Sequence, residues 1–305
     1  MGLSIVIPCY NSGKKIGILL KSIFSQIVEN IEVVIINDGS KDNTLEVIEQ
    51  VLEEFTHFRR QVRIISINNS GAGIARQVGL EKAKGDYVFF CDSDDKISSN
   101  FIKFILSAMN EGPDVIYYSS VVSDIHGNFI RDKIKITNDI VTTNRSDAFH
   151  WLFSRFGYTS AVWSFVFKRK VALDSGASFI NRPVHEDHMF TLTLLGSAYR
   201  IMFIPDLMYY YVDEQGSLTR SSKDINYLIQ RYDAYDETRS LVKTKFGIDN
   251  YKLYREWSIR SLLSLIINNR CLFSRFRNFS FLNKVIFNDF FIILKVISKK
   301  FFSSK

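Results

Sequence analysis

Carboxylates gather at three places in this 305-residue chain, each with a spacing that suits a reaction or a cation. The densest is Cys91-Asp92-Ser93-Asp94-Asp95, directly behind the apolar run Tyr87-Val88-Phe89-Phe90. Acids this close repel one another, so a cation is their natural partner. Hard divalent ions such as Mg²⁺ or Mn²⁺ are held by one or two carboxylates and take their remaining oxygens from water and substrate phosphates. The second place is Asp38-Gly39-Ser40, behind Val33-Val34-Ile35-Ile36-Asn37. By itself this segment also reads as a turn and helix start, with Ser40 or Asp42 accepting from the first amides of the next helix. The third, Val184-His185-Glu186-Asp187-His188-Met189-Phe190, predicts the opening of an amphipathic helix just after Pro183. Acids there complement a helix dipole or act as a base. The histidines at i and i+3 lack the spacing of a zinc-binding helix.

Asn69-Ser70-Gly71-Ala72-Gly73-Ile74-Ala75-Arg76 has the outline of a dinucleotide fingerprint, but Arg76 replaces the third glycine. Its bulk argues against NAD or FAD, while an arginine near a helix start suits a phosphate or a nucleotide base. No serine occupies a nucleophile elbow, and Cys9, Cys91 and Cys271 have neither a motif nor a close partner. Covalent acyl transfer, a disulfide framework and a thiolate zinc site therefore lack support, and a reducing cytosol fits the cysteine usage.

These groups need a scaffold. Leu3 to Cys9 reads as a strand, Ile16, Leu19, Leu20 and Ile23 share a helical face, and Ile31 to Ile36 reads as a buried strand. A second helix carries Leu45, Ile48, Val51, Leu52 and Phe55, followed by strand Val62 to Ile67, helix Ala72 to Ala83 and strand Tyr87 to Cys91. Such alternation predicts right-handed crossovers and a parallel sheet, with ligands beyond the carboxyl ends of the strands. Polar loops beginning at Pro8, Asn37, Asn68 and Cys91 all follow strands, so four of them converge on one edge. Ser98 or Ser99 caps a predicted helix ending near Asn110. Strands at Val115 to Ser119, Ala161 to Phe167, Tyr199 to Ile204 and Met208 to Val212 then mix with short helices, and the pattern after Ser222 is helical. The reading is an α/β domain over residues 1–221, with halves 1–112 and 113–221, and a helical region 222–305.

At 46% hydrophobic and 14% aromatic residues with four prolines, the chain can bury a sizeable core and is neither disordered nor collagen-like. No apolar run approaches the roughly 18 residues of a spanning helix, and the N-terminus lacks the basic start of a signal peptide. The charge is confined to one end. From Arg270 to Lys305 eight basic residues face Asp289 alone, a net of +7, while residues 1–269 carry 31 of each sign. Nine of the 26 phenylalanines share that tail, which points to a membrane surface and not to a nucleic-acid groove. Between Leu282 and Phe302, Lys284, Asn288, Lys295 and Lys299 fall within about 60° on a helical wheel, opposite Leu282, Val285, Ile286, Phe290, Ile293 and Ile297. This predicts an amphipathic helix lying on an anionic membrane through its lysines and phenylalanines, with packing on the domain or on a second subunit as the alternative.

The ordered set Ile5-Val6-Ile7-Pro8-Cys9-Tyr10-Asn11, the segment from Val33 to Thr44, the segment from Asn68 to Asp95, a tryptophan-containing strand and the segment from His185 to Phe190 resembles the family 2 glycosyltransferases. These are inverting enzymes with the A-type nucleotide-sugar fold, a Rossmann-like, mostly parallel sheet flanked by helices. The likeness runs from Leu3 to about Ser221, roughly 70% of the chain. It implies that Pro8, Tyr10 and Asn11 line a base and ribose pocket, that Asp38 accepts from a uracil ring, and that Arg76 and Ser93 lie by the same nucleotide. Asp92 and Asp94 match the DxD element, Asp92 near the ribose or on the metal and Asp94 as a direct ligand of Mn²⁺ or Mg²⁺. Asp95 is a neighbour able to share either role. Asp187 would be the general base and Glu186 would orient the acceptor. Ser217, Thr219 and Arg220 would fold over the diphosphate, and Trp163 would floor the acceptor site, with a place in the core as the alternative, since sugars stack on aromatic faces but tryptophans also fill cores.

Trp163-Ser164-Phe165 departs from the Trp-Asn-Lys of many relatives, and Gln77 stands where asparagine is common, which leaves the acceptor open. The implied enzyme is cytoplasmic and peripheral on the inner face of the cell membrane, metal-dependent, and compatible with a homo-oligomer. It would move a sugar from a nucleotide donor, a UDP-sugar, to a hydroxyl of a lipid-linked or surface-polysaccharide acceptor. One rival is a polyprenyl-phosphate sugar synthase, against which Glu186-Asp187 argues. Another is a non-catalytic membrane-bound scaffold, against which the joint presence of Asp38, Asp92, Asp94 and Asp187 argues.

Overall fold

Leu3–Cys9 is buried at every position, as a strand covered on both faces must be, and forms β1 inside a ten-stranded sheet. The computed structural model describes residues 1–26, 28–213, 224–268 and 279–302 and separates into two units, Met1–Glu214 and Gln215–Lys305. In the first unit the chain continues through α1 (Ile16–Phe24), β2 (Ile31–Asn37), α2 (Thr44–Glu54), β3 (Val62–Ser66), α3 (Ala72–Lys82) and β4 (Tyr87–Phe90). It then forms β5 (Lys96–Ile97), α4 (Phe101–Asn110), β6 (Val115–Ser123), β7 (Phe129–Ile134), β8 (Ile140–Thr142) and α5 (Arg145–Trp151). β9 (Phe165–Lys168), α6 (Arg169–Ser175), α7 (His188–Ser197) and β10 (Ile201–Val212) complete the unit.

The sheet order is β3-β2-β1-β4-β9-β6-β10-β5, with β7 beside β6 and β8 beside β10. β3, β2, β1 and β4 are parallel, as their helical crossovers require. β9 runs antiparallel between β4 and β6, so the second half is a mixed sheet. Two expected strands, 199–204 and 208–212, are one: β10 shifts register between Ile204 and Tyr209. Pro205 lies in that stretch and has no amide to give the ladder, which accounts for the bulge. Residues Val162–Ser164, expected as strand, form a 3₁₀ turn before β9.

Helix α4 starts at Phe101 without a serine cap. Ser98 contributes its backbone carbonyl to the Phe101 amide, and the side chain of Gln26, past the end of α1, accepts from the Ile102 amide at 3.3 Å. Helix α7 begins at His188, four residues later than the sequence suggests. His185 adopts φ +59°, outside the helical region, and Asp187 is the capping residue. The helix is buried on most of its circumference and is not amphipathic.

Two contacts set where α3 lies. Gly79 faces β1 so closely that a Cβ there would sit 2.2 Å from Val6 Cγ1. Gly39, at φ +71°, brings the loop after β2 against the loop after β3, where a Cβ would meet the Asn69 amide at 2.9 Å.

The second unit comprises α8 (Ile225–Glu237), α9 (Arg239–Phe246), α10 (Ile248–Asn268) and α11 (Phe279–Phe302). Its buried acid, Asp289 of α11, receives Arg239 at 2.5 Å, Arg255 at 2.7 Å and the Tyr232 hydroxyl at 3.2 Å. Among the described residues no helix is long and apolar enough to cross a membrane.

A Gly79→Ala substitution tests the α3 contact. Overpacking costs about 1–3 kcal/mol and should outweigh the gain of about 1 kcal/mol in helix propensity. The urea midpoint should therefore fall, and a rise would show that α3 can retreat from β1 freely.

Candidate active site

Side chains of the loops behind β1, β2, β3 and β4 hold one another. Behind β1, Asn11 takes a left-handed φ of +49°, a conformation asparagine tolerates better than most residues. Its amide donates to Ser40 Oγ at 3.0 Å and its Oδ1 accepts from the Lys41 amide at 2.8 Å. The Ser12 amide donates to Thr44 Oγ1 at 2.8 Å, and Ser12 Oγ pairs with Ser93 Oγ at 2.8 Å. Asp42 accepts from the Gly13 and Thr44 amides, so it both starts α2 and ties down the first loop. Pro8 is buried within β1 opposite Ile36, one residue short of this loop, while Tyr10 is exposed beyond it.

Asp38 is buried at the end of β2. Its Oδ1 accepts from the Ser70 amide at 2.7 Å and its Oδ2 from the Gly71 amide at 2.9 Å. It therefore fixes the segment that opens α3, and each oxygen keeps a second lone pair for a ligand donor.

Arg76, one turn into α3, is almost fully buried. Its NH1 donates to Glu186 Oε1 at 2.6 Å and its NH2 to Asp92 Oδ1 at 2.8 Å. Burial works against the guanidinium charge, but Asp92 and Glu186 outweigh it and hold the pKa above its ordinary value. Arg76 Nε is buried without a partner. One cation thus joins the acidic loop behind β4 to the acids ahead of α7.

Asp187 completes the cluster. Burial, then the Glu186 charge, pushes its carboxyl up to about 7, against the pull of Arg76 and of the Ser160 hydroxyl. That hydroxyl donates to Asp187 Oδ1 at 2.8 Å, and the Thr191 hydroxyl holds the Ser160 carbonyl at 2.6 Å. A carboxylate titrating near neutrality, fixed on one oxygen, has the properties of a general base.

Asp94 lies 3.6 Å from Lys15, and burial together with Asp92 pushes its carboxyl up. Asp92, already paired with Arg76, and Asp94 are neighbouring carboxylates of the kind that could hold Mg²⁺ or Mn²⁺. Among the described residues no group of three His, Cys, Asp or Glu side chains is placed to hold a metal ion.

Two expected assignments do not survive. Trp163 is only 3% exposed, stacked on Tyr209 at 4.6 Å within the core, so it has no face to offer a sugar. Asp95 is buried and accepts from the Tyr209 hydroxyl at 2.7 Å and the Val212 amide at 2.8 Å, which makes it a tie between β4 and β10. Ser217, Thr219 and Arg220 lie outside the described residues. Ser160, Tyr209 and Lys15 are site neighbours that the motifs did not reveal. Lys15 is legible only as a cation in the first polar loop, and nothing in the sequence pairs Ser160 with Asp187.

The chain matches the family model described as Glycosyl transferase family 2 over residues 4–182. It is 28% identical to the uncharacterized glycosyltransferase YibD of Escherichia coli over 238 residues, 74% of this chain and 66% of YibD. It is 27% identical to the poly(ribitol-phosphate) beta-N-acetylglucosaminyltransferase TarS of Staphylococcus aureus over 285 residues, 92% of this chain and 46% of TarS. The chain thus spans just under two thirds of the one relative and less than half of the other. The crystal structure of S. aureus TarS 1-349 in complex with UDP-GlcNAc matches with a TM-score of 0.72 at 22% identity, covering 97% of this chain and 82% of that one. The shared fold is the A-type architecture that the motifs implied.

If Trp163 is core, Trp163→Phe should lower the unfolding free energy by about 1–3 kcal/mol and leave the Michaelis constant for the acceptor unchanged. A raised constant with normal stability would return Trp163 to the acceptor site.

Proposed function

Since this chain belongs to glycosyl transferase family 2, we propose that it is an inverting transferase that moves a sugar from a UDP-sugar to an acceptor hydroxyl. The observation that carries this reading is the Arg76 bridge, which links Asp92, on the donor side, to Glu186 beside the base Asp187. Tyr10, exposed behind β1, offers a ring to the uracil base, and Asn11, Ser93 and Asp38 surround the ribose and base. Asp94, with Asp92, would hold Mg²⁺ or Mn²⁺, and the bound ion would neutralise the departing diphosphate. UDP-N-acetylglucosamine is the first donor to test, because the structurally similar TarS carries it.

Ser160 occupies Asp187 Oδ1, which leaves Oδ2 to take the proton of the acceptor hydroxyl as that oxygen attacks the anomeric carbon. Attack from the face opposite the diphosphate inverts the configuration in one displacement. Glu186, held by Arg76, keeps the acceptor oriented. TarS is named for transfer to poly(ribitol-phosphate), which supports an acceptor of the surface-glycopolymer class or its lipid-linked precursor, met at the cytoplasmic face of the membrane.

The sign of the pH dependence follows from Asp187. Its carboxyl is protonated, and so inactive as a base, below about 7, and turnover should climb through that pH and then level. Asp187→Asn should lower kcat by about 10²- to 10⁴-fold and leave UDP binding intact. A pH-independent rate would remove Asp187 from the role.

The donor assignment is tested by thermal shift and UDP release across a panel of nucleotide sugars, with Mn²⁺ present or chelated. Stabilisation by a UDP-sugar that is lost on chelation and in Asp94→Ala is expected. No response to any uridine nucleotide would overturn the site.

A further inference from the structure

Lys284 and Lys295 of α11 stay about half exposed yet pair within their own unit. Lys284 pairs with Asp233 at 3.0 Å and Asp236 at 3.6 Å on α8, and Lys295 pairs with Glu256 of α10 at 3.4 Å. Asn288 donates to the Tyr232 hydroxyl, and Asp289, Phe281 and Val296 are buried. Beside the lysines lies a wider exposed side that is apolar. Phe287 is 91% and Phe291 83% exposed, and Ile286, Phe290, Leu294 and Ile297 stand open beside them. At 100° per residue these six span an arc of about 140°, with no charged residue inside it. The helix therefore packs on its own unit through Phe281, Asp289 and Val296, with Lys284 and Lys295 paired at the edge, and leaves Phe287, Phe290 and Phe291 open.

We propose that this aromatic face of α11 is a docking surface for an anionic lipid bilayer, lying flat in the interface with the phenylalanines inserted. Charge complementarity selects lipid over a second copy of the chain. Arg270, Arg275 and Arg277 precede the helix, and Lys299, Lys300 and Lys305 fall at or beyond its last turn, with no acid in either stretch. Self-association through this face would bring two such basic sets together, whereas anionic headgroups offset them. The helix is not apolar enough to cross, and an amphipathic helix with aromatic insertion and basic flanks suits the interface plane. The inference deepens the proposal of a membrane-presented acceptor by naming the contacting surface. It needs neither donor nor acceptor, so transfer activity and vesicle binding can each fail without the other.

The test is sedimentation of the full chain with phosphatidylcholine vesicles, with and without phosphatidylglycerol. Wild type should pellet with the anionic vesicles only, less so in high salt. Phe287→Ser with Phe291→Ser should weaken partitioning by at least about tenfold at an unchanged melting temperature, since both rings are exposed. Lys299→Gln with Lys300→Gln should weaken it on anionic vesicles as well. The proposal is overturned if wild type does not pellet or if the double serine variant pellets equally well. It is also overturned if sedimentation velocity shows a wild-type dimer that the double serine variant abolishes, which would make the occupant a second copy.

Discussion

One buried guanidinium sets the terms for the site. Arg76 takes a carboxylate 16 residues ahead and another 110 residues ahead and holds both within hydrogen-bond distance. Removing one partner of a buried ion pair typically costs about 3–5 kcal/mol, because the other charge remains desolvated and unpaired. The loop behind β4 and the segment ahead of α7 are therefore held to the same cation and to each other. Arg76 can serve both only because α3 is placed accurately: Gly79 lets the helix rest on Val6 of β1, and Asp38 fixes the amides of Ser70 and Gly71 at its start.

The surrounding loops follow the same logic at lower stakes. Loops at the carboxyl edge of a parallel sheet have no ladder to satisfy their amides, so side chains take the task. Asp38, Asp42, Asn11, Ser40 and Thr44 each accept from a backbone amide of a neighbouring loop or helix. Acceptance by carboxylates is charge-assisted and stronger than between neutral groups. These bonds tie the loops to one another, whereas Asp92, Asp94 and Asp187 have side-chain groups beside them, Arg76, Lys15 and Ser160. That difference among the acids comes from geometry. Asp95 shows it, being adjacent to Asp94 and yet turned to Tyr209 and Val212.

The parts of this that were legible in the sequence share a cause. Strands buried on both faces read as continuous apolar runs, and the polar residues directly after them mark the edge where ligands bind, so the first four strands and their loops could be placed from pattern alone. What was missed depends on partners distant in the chain. Trp163 looks like a sugar platform until Tyr209, 46 residues on, covers it. Helix α7 starts later than its sequence pattern implies because the positive φ of His185 leaves no trace in residue type. Ser160 became visible only when the fold brought its hydroxyl to Asp187.

The tail gives the sharpest instance. A helical wheel separates polar from apolar sides of α11 but does not say which side meets the neighbouring helices. In water the apolar side would be expected to turn in. Here three acids on α8 and α10, Asp233, Asp236 and Glu256, pair with Lys284 and Lys295, which stay about half exposed. Asp289, the single acid of the tail, is buried between Arg239 and Arg255. Exposed ion pairs contribute little, a median of about 0–1 kcal/mol each, and a soluble helix would gain more by burying its phenylalanines. Buried Asp289 with its two arginines explains how α11 is held, and does not explain why the open face should remain aromatic. A surface of that kind persists in an otherwise well-satisfied unit when something other than water covers it.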